Sequence, residues 1–249
     1  MDNNTRRNYI DNVRWITVIT VVIYHVVYMF NGMAVGGVIG PFKENQWQDA
    51  LQYILYPWFM VLLFVVSGMS SRYYLESHTD KEFIRSRTSK LLVPSTLGLF
   101  AFQWITGHFN MAISGAFGSL DNVPAPLIYI IKSISGTGVL WYIQMLWLYS
   151  VILVPIRKAE KDRLWNVCAK CPVIIAVLLV IPLWGMAQIL NTPVITVYRF
   201  GIYALAFLIG YFVFSHDEFM ERLAKWWAVF AGAAVVLAVV NTAVYYGEN

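Results

Sequence analysis

The sequence predicts an all-α fold, a polytopic transmembrane helical bundle, and three observations carry that prediction. Charged residues make up only 13% of the 249 and mean hydropathy is +0.59, whereas an ordinary soluble domain is about 25% charged. Seven apolar runs, at 13–31, 53–72, 91–107, 138–156, 172–190, 199–214 and 227–246, approach the about 20 residues a helix needs to cross a bilayer. Basic residues collect in every second loop, the charge signature of membrane topology. The chain reads as one domain, 1–249.

The first run follows Arg6 and Arg7 and contains Arg14 and His25. A cleaved signal peptide would share that basic start, but the histidine in the apolar core and the lack of a small-residue cleavage site count against one. The second run carries Pro57 and ends through Ser67, Gly68 and Arg72; proline is tolerated in a spanning helix when neighbours satisfy the freed carbonyl. Lys81, Arg85, Arg87 and Lys90 then lead into Pro94 and the third run, whose following loop holds Lys132 alone. The fourth run opens with Val139-Leu140-Trp141-Tyr142 and is followed by Arg157, Lys158, Lys161, Arg163 and Lys170. The sixth, behind Arg199, is short and fits a tilted, broken or partly re-entrant span. Arg222 and Lys225 precede the seventh.

Alternate loops thus hold 15 and 3 of the 18 basic residues. The positive-inside rule places the rich set in the cytoplasm. The N-terminus is then cytoplasmic, Asn249 lies outside, and the expected location is the inner or plasma membrane. The ten Trp, 15 Tyr and 15 Phe residues suit the headgroup level of that bilayer. The net charge of +4 is spread over short loops and gives no footprint for nucleic acid.

Ionisable groups are costly inside a bilayer, so Arg14 and His25 each need a reason. They are eleven positions apart; at about 100° per residue they share one helix face, separated by about 16 Å along the axis. Alone, Arg14 fits a side chain reaching the interface and His25 a structural hydrogen bond. Together on one face they point to a working site. A neutral imidazole suits general-base chemistry near neutral pH. None of the 14 acidic residues lies inside a run, so the expected group orienting His25 is a loop carboxylate such as Glu44, Asp49 or Asp121, a hydroxyl, a carbonyl, or a residue in sequence outside these 249 positions. Cys168 and Cys171 form a lone C-x2-C, too little for a tetrahedral zinc site, and no metal is expected. His78, His108 and His216 fall in loops or helix ends and read as solvated.

Here the sequence resembles a known family. "YIDNVRWITVITVVIYH" looks like the opening of the acyltransferase family 3 membrane proteins, with an arginine, ten residues and a histidine on the first helix, matched by Arg14 and His25, and an aspartate matched by Asp11. "PWFMVLLFVVSGMSSRYYL" is similar to the family's second helix, which ends in Ser-Gly. "FIRSRTSKLLVP" resembles its basic segment leading into proline, and "GVLWYIQMLWLYSVILVP" its later His-Leu-Trp-Phe segment, with Val139 in the histidine's place. "LLVPSTLGLF" is similar to the branch that modifies periplasmic glucans.

The resemblance implies a membrane O-acyltransferase. It would move an acyl group, commonly acetyl, from cytoplasmic acyl-CoA to a hydroxyl of a glycan or similar extracytoplasmic acceptor, as in the O-acetylation of polysaccharides. His25 and Arg14 would be catalytic. Arg14, Arg85, Arg87 and Lys90 would bind acyl-CoA, and Trp141, Tyr142 and Ser67 would line a tunnel for it. Acetyl-CoA would be a substrate, with no permanently bound cofactor. Members usually have about ten spans, so the chain would be C-terminally truncated. A transporter or channel, or an inactive remnant of the acyltransferase fold, are the alternatives.

Overall fold

The computed structural model describes residues 8–30, 46–113, 115–116, 123–191 and 198–247. Arg6, Arg7, Lys43, Glu44 and Asp121 lie outside them. The described residues are mainly helical, with turns and loops between the helices, and contain no strand beyond an isolated antiparallel bridge between Asn191 and Arg199. In chain order these are α1 (Asn8–Met29), α2 (Ala50–Ser77), α3 (Asp80–Arg87), α4 (Val93–Gly98), α5 (Trp104–Ile113), α6 (Ala125–Ser135), α7 (Leu140–Glu160), α8 (Arg163–Cys168), α9 (Ile174–Leu178), α10 (Val180–Met186), α11 (Phe200–Ile209), α12 (Asp217–Ala224) and α13 (Trp227–Tyr245).

Among the described residues, four helical stretches are long and apolar enough to cross a membrane: α1, α2 with its lead-in turn from Trp47, α7 and α13. The run 199–214 becomes α11 and a π-helical turn, Gly210–Phe214, after which the chain bends by 93° into α12. The run 172–190 divides into α9 and α10, and the run 91–107 passes through α4 and α5 with π-helical turns at Thr88–Leu92 and Leu99–Gln103. Pro94 lies just past the first of these turns; it has no N–H for the carbonyl four residues back, which favours a locally widened helix there.

Helix α2 is the hub against which α1, α11, α13, α7 and α3 pack. Two glycines make its contact with α11 possible. A Cβ on Gly68 would stand 2.0 Å from the Phe207 carbonyl oxygen, and one on Gly210 would stand 2.0 Å from that of Val65. Such close backbone approach is how helices associate in lipid, where burial of apolar surface gives little drive. Around this crossing Phe59, Phe64, Met145, Tyr149, Leu153, Ala206, Phe207 and Tyr211 form the buried core. The outer faces are apolar instead of charged: Trp15, Ile16, Ile19, Val22, Ile23 and Val26 on α1 are exposed, and α13 buries no residue. That is the inverted pattern of a protein whose surface meets lipid.

Where the helices end, polar contacts tie them together. The Arg72 guanidinium donates to the Asp162 carboxylate at 2.5 Å and to the Tyr211 hydroxyl at 3.3 Å, and lies 3.9 Å from the Trp165 ring centre. Asp162 reaches it from a left-handed backbone conformation, φ +58°, which Lys161 shares. Arg157 donates to Asp80 at 2.7 Å, pinning α7 to the start of α3. His216 is buried here, not solvated as its position in the sequence implies. Its ring packs on Trp165 at 4.1 Å, and its Nε2–H donates to the Trp165 carbonyl at 2.9 Å.

Gly68→Ala should cost about 1–3 kcal/mol, because the added methyl meets backbone that cannot step aside. Gly232→Ala, where a Cβ has open space, should leave stability unchanged or slightly raised; thermal unfolding in detergent reads both. Burial lowers the His216 pKa. Below its ordinary value of about 6.5 the unfolded chain therefore takes up a proton that the folded chain does not, and stability should fall as pH drops through that window. The difference in melting temperature between wild type and His216→Gln, followed from pH 7.5 downward, should isolate this loss.

Candidate functional site

Helix α1 turns Ile10, Val13, Arg14, Thr17, Val21, Tyr24 and His25 away from its exposed face and toward α2. Arg14 Nη1 donates to Asp11 at 3.3 Å, one helical turn back, and Nη2 donates to Ser70 Oγ at 2.7 Å. Ser70 in turn donates to the Val66 carbonyl at 2.8 Å. The aspartate and the serine thus hold the guanidinium between α1 and α2.

A second guanidinium arrives from α3. The Thr79–Glu82 capping box starts that helix: the Glu82 backbone N–H donates to Thr79 Oγ1 at 3.3 Å, and the Glu82 carboxylate accepts from the Thr79 backbone N–H at 2.8 Å. Those bonds hold the Glu82 carboxyl below its usual pKa. The chain then runs back along α2 and places Arg87 Nη2 at 3.2 Å from Ser71 Oγ. Arg87 pairs with no carboxylate among the described residues. Burial, and next the charge of Arg14, lower its pKa, yet a guanidinium stays protonated. Two cations on adjacent serines, with Asp11 as the partner of one, leave an excess of positive charge between α1, α2 and α3. Such a site attracts anions, and guanidinium forks match phosphate oxygens. Arg85 and Lys90 are exposed and join neither serine.

One turn deeper, Ser67 Oγ and the Tyr142 hydroxyl are hydrogen bonded at 2.9 Å. Ser67, Ser70 and Ser71 are spaced three and four residues apart, so one face of α2 carries all three. Trp141 is buried in the core, 6.3 Å from the Phe64 ring and 5.3 Å from that of Tyr203. Tyr142 lies against Phe64 at 5.0 Å, and Phe64 stacks on Tyr203 at 4.8 Å. A line of aromatic rings therefore leaves the serine face toward the opposite end of the bundle.

His25 stands at that opposite end, half-buried, with its ring edge-on to Tyr24 at 5.4 Å. Its Nδ1 is 2.7 Å from the Val21 carbonyl oxygen, one turn back on the same helix. A carbonyl only accepts, so Nδ1 carries the hydrogen, and in the neutral ring Nε2 keeps its lone pair. Nε2 makes no hydrogen bond to a described residue. The orienting group is thus a carbonyl. Among the carboxylates considered, Asp49 accepts from the Gln46 backbone N–H at 2.9 Å and from Gln52 Nε2 at 3.4 Å, while Glu44 and Asp121 lie outside the described residues. Val139, in the position where the resemblance leads one to look for a histidine, is exposed at the start of α7. Cys168 and Cys171 are free thiols.

Ser70, Ser71 and the Tyr24 ring were invisible as site residues in the sequence. The i, i+3, i+4 spacing of the serines behind Gly68 was the available signal.

A family model described as an acyltransferase domain matches residues 7–249. No curated protein and no solved structure matches the chain.

Nitrogen-15 spectra of histidine-labelled protein at a pH where His25 is neutral should show a protonated Nδ1 and a bare Nε2. A protonated Nε2 would contradict the Val21 bond.

Proposed function

From its membership of acyltransferase family 3, a match that spans nearly the whole chain, we propose that this membrane acyltransferase moves an acyl group, commonly acetyl, from acyl-CoA to a hydroxyl of a glycan or similar acceptor. The observation that carries the reading is the meeting of Arg14 and Arg87 on Ser70 and Ser71, with His25 further along the same face of α1. The bias of basic residues toward alternate loops supports a cytoplasmic N-terminus. The Arg14–Arg87 end then opens to the cytoplasm, where acyl-CoA is found, and the His25 end faces the other side.

The two guanidiniums take the phosphates of the donor as charge-assisted, forked hydrogen bonds. Arg85 and Lys90, on the exposed flank, add long-range attraction and no direct hold. From that grip to His25 is about 16 Å along the helix, a distance that a pantetheine arm spans when extended along α1 and α2. Ser67, Tyr142 and Trp141 flank that route. At His25 the bare Nε2 takes the proton of the acceptor hydroxyl as its oxygen attacks the thioester carbonyl. The tetrahedral intermediate then expels the thiolate of CoA, which recovers the proton from the imidazolium. The C–O bond replaces the C–S bond and no redox partner is needed.

His25→Ala should lower acyl transfer by about 10²-fold or more while insertion and melting temperature stay as in the wild type; retained transfer in isolated membranes would remove the general-base role. Arg14→Ala and Arg87→Ala should each raise KM for acetyl-CoA by about tenfold or more, the scale of one lost hydrogen bond to a charged group. Arg85→Ala should change it little. An unchanged KM in the first two variants would dismiss the donor site.

A further inference from the structure

Beyond His25 the rings continue into an assembly that the donor reading leaves unused. Tyr24 stacks on Tyr56 with ring centres 5.7 Å apart and on Tyr28 at 5.8 Å. The Tyr56 ring is 42% exposed, and the Arg199 guanidinium lies 5.8 Å from its centre. The hydroxyls of Tyr24, Tyr28 and Tyr56 make no hydrogen bond to a described residue, and none is among the buried atoms lacking a partner. Arg199 forms no ion pair with a described carboxylate. From His25 the contacts run without a break through Tyr24 and Tyr56 to Arg199.

Each component has a chemical preference. A partly exposed tyrosine ring packs against the C–H groups of a pyranose ring. Free phenol hydroxyls both donate and accept, which suits a polyol. A guanidinium without a carboxylate partner takes a planar acid group through two parallel bonds. We propose that Tyr24, Tyr28, Tyr56 and Arg199 form a binding site for a sugar ring that carries an acidic group, and that the site presents one of its hydroxyls to His25. This rests on the reading of His25 as the base, since the ring assembly ends on that residue. Arg199 selects the charge, Tyr56 holds the ring, and neither takes part in proton transfer.

The test is equilibrium binding of a defined probe, trigalacturonate, to the full chain in lipid nanodiscs, with the neutral trisaccharide galactotriose alongside. The acidic probe should bind about tenfold or more tightly than the neutral one, a gap of about 1.4 kcal/mol, and added salt should narrow it. Arg199→Ala should erase the preference, Arg199→Lys should restore part of it, and Tyr56→Ala should weaken both sugars. Arg199→Gln serves where the alanine variant lowers the melting temperature. Equal binding of the two sugars by the wild type, or an undiminished preference in both Arg199→Ala and Arg199→Gln, would overturn the site. Acetyl-CoA binding on the same samples judges the donor reading separately: its absence in the wild type would remove the Arg14–Arg87 site and leave the sugar result to stand by itself.

Discussion

The contact of α2 with α11 at Gly68 and Gly210 sets where everything else can be. Backbone meets backbone there, so the two helices cannot slide or roll without a clash. In lipid, where tails are as apolar as leucine, shape of this kind and polar contacts are what hold helices in register. The consequence for chemistry is local. Ser67 precedes Gly68 and Ser70 and Ser71 follow it, so the crossing fixes the direction in which three hydroxyls point. Tyr203 comes from α11 itself and meets Phe64 of α2. The face that receives Arg14 and Arg87 and the ring line toward His25 are two products of one packing decision.

The guanidiniums are arranged by contrast with one another. Arg72 is neutralised by Asp162 and covered by Trp165; it closes the bundle. Arg157 is spent on Asp80 in the same way. Arg87 sits as deep as a structural arginine would, yet it has a serine where they have a carboxylate. A half-buried cation that is hydrogen bonded but not neutralised is costly for a fold. Its placement is intelligible if an anion arrives during function.

Much of this could be read from the residues alone. The scarcity of charge predicted the helical membrane fold, and the eleven-residue spacing put Arg14 and His25 on one face of α1, which faces α2. Four segments, carrying Arg14 and His25, Ser67-Gly68, Arg85 to Pro94 and Trp141-Tyr142, pointed to the family that the comparison found. What could not be read was pairing in space. Arg85, Arg87 and Lys90 look alike in sequence, and only the path of α3 back along α2 singles out Arg87. His216 looks like a solvated loop residue until Trp165, fifty-one positions away, is packed on it. Serine is too common in helices for Ser70 and Ser71 to attract attention, and the partner of His25 is a backbone carbonyl, which carries no residue identity.

That last feature bears on what holds the imidazole in place. A histidine backed by a carboxylate gains a counter-ion when it becomes a cation, so the charged state is comfortable. Backed by the Val21 carbonyl, the ring keeps its tautomer and orientation but gains only a dipole. The ring is thus held in place without an ion pair. Under the proposed mechanism a stronger proton acceptor, the thiolate of the departing coenzyme, is released in the same reaction. In that mechanism α1 would link deprotonation of the incoming alcohol to departure of the leaving group, with no Asp or Glu in any of the apolar runs.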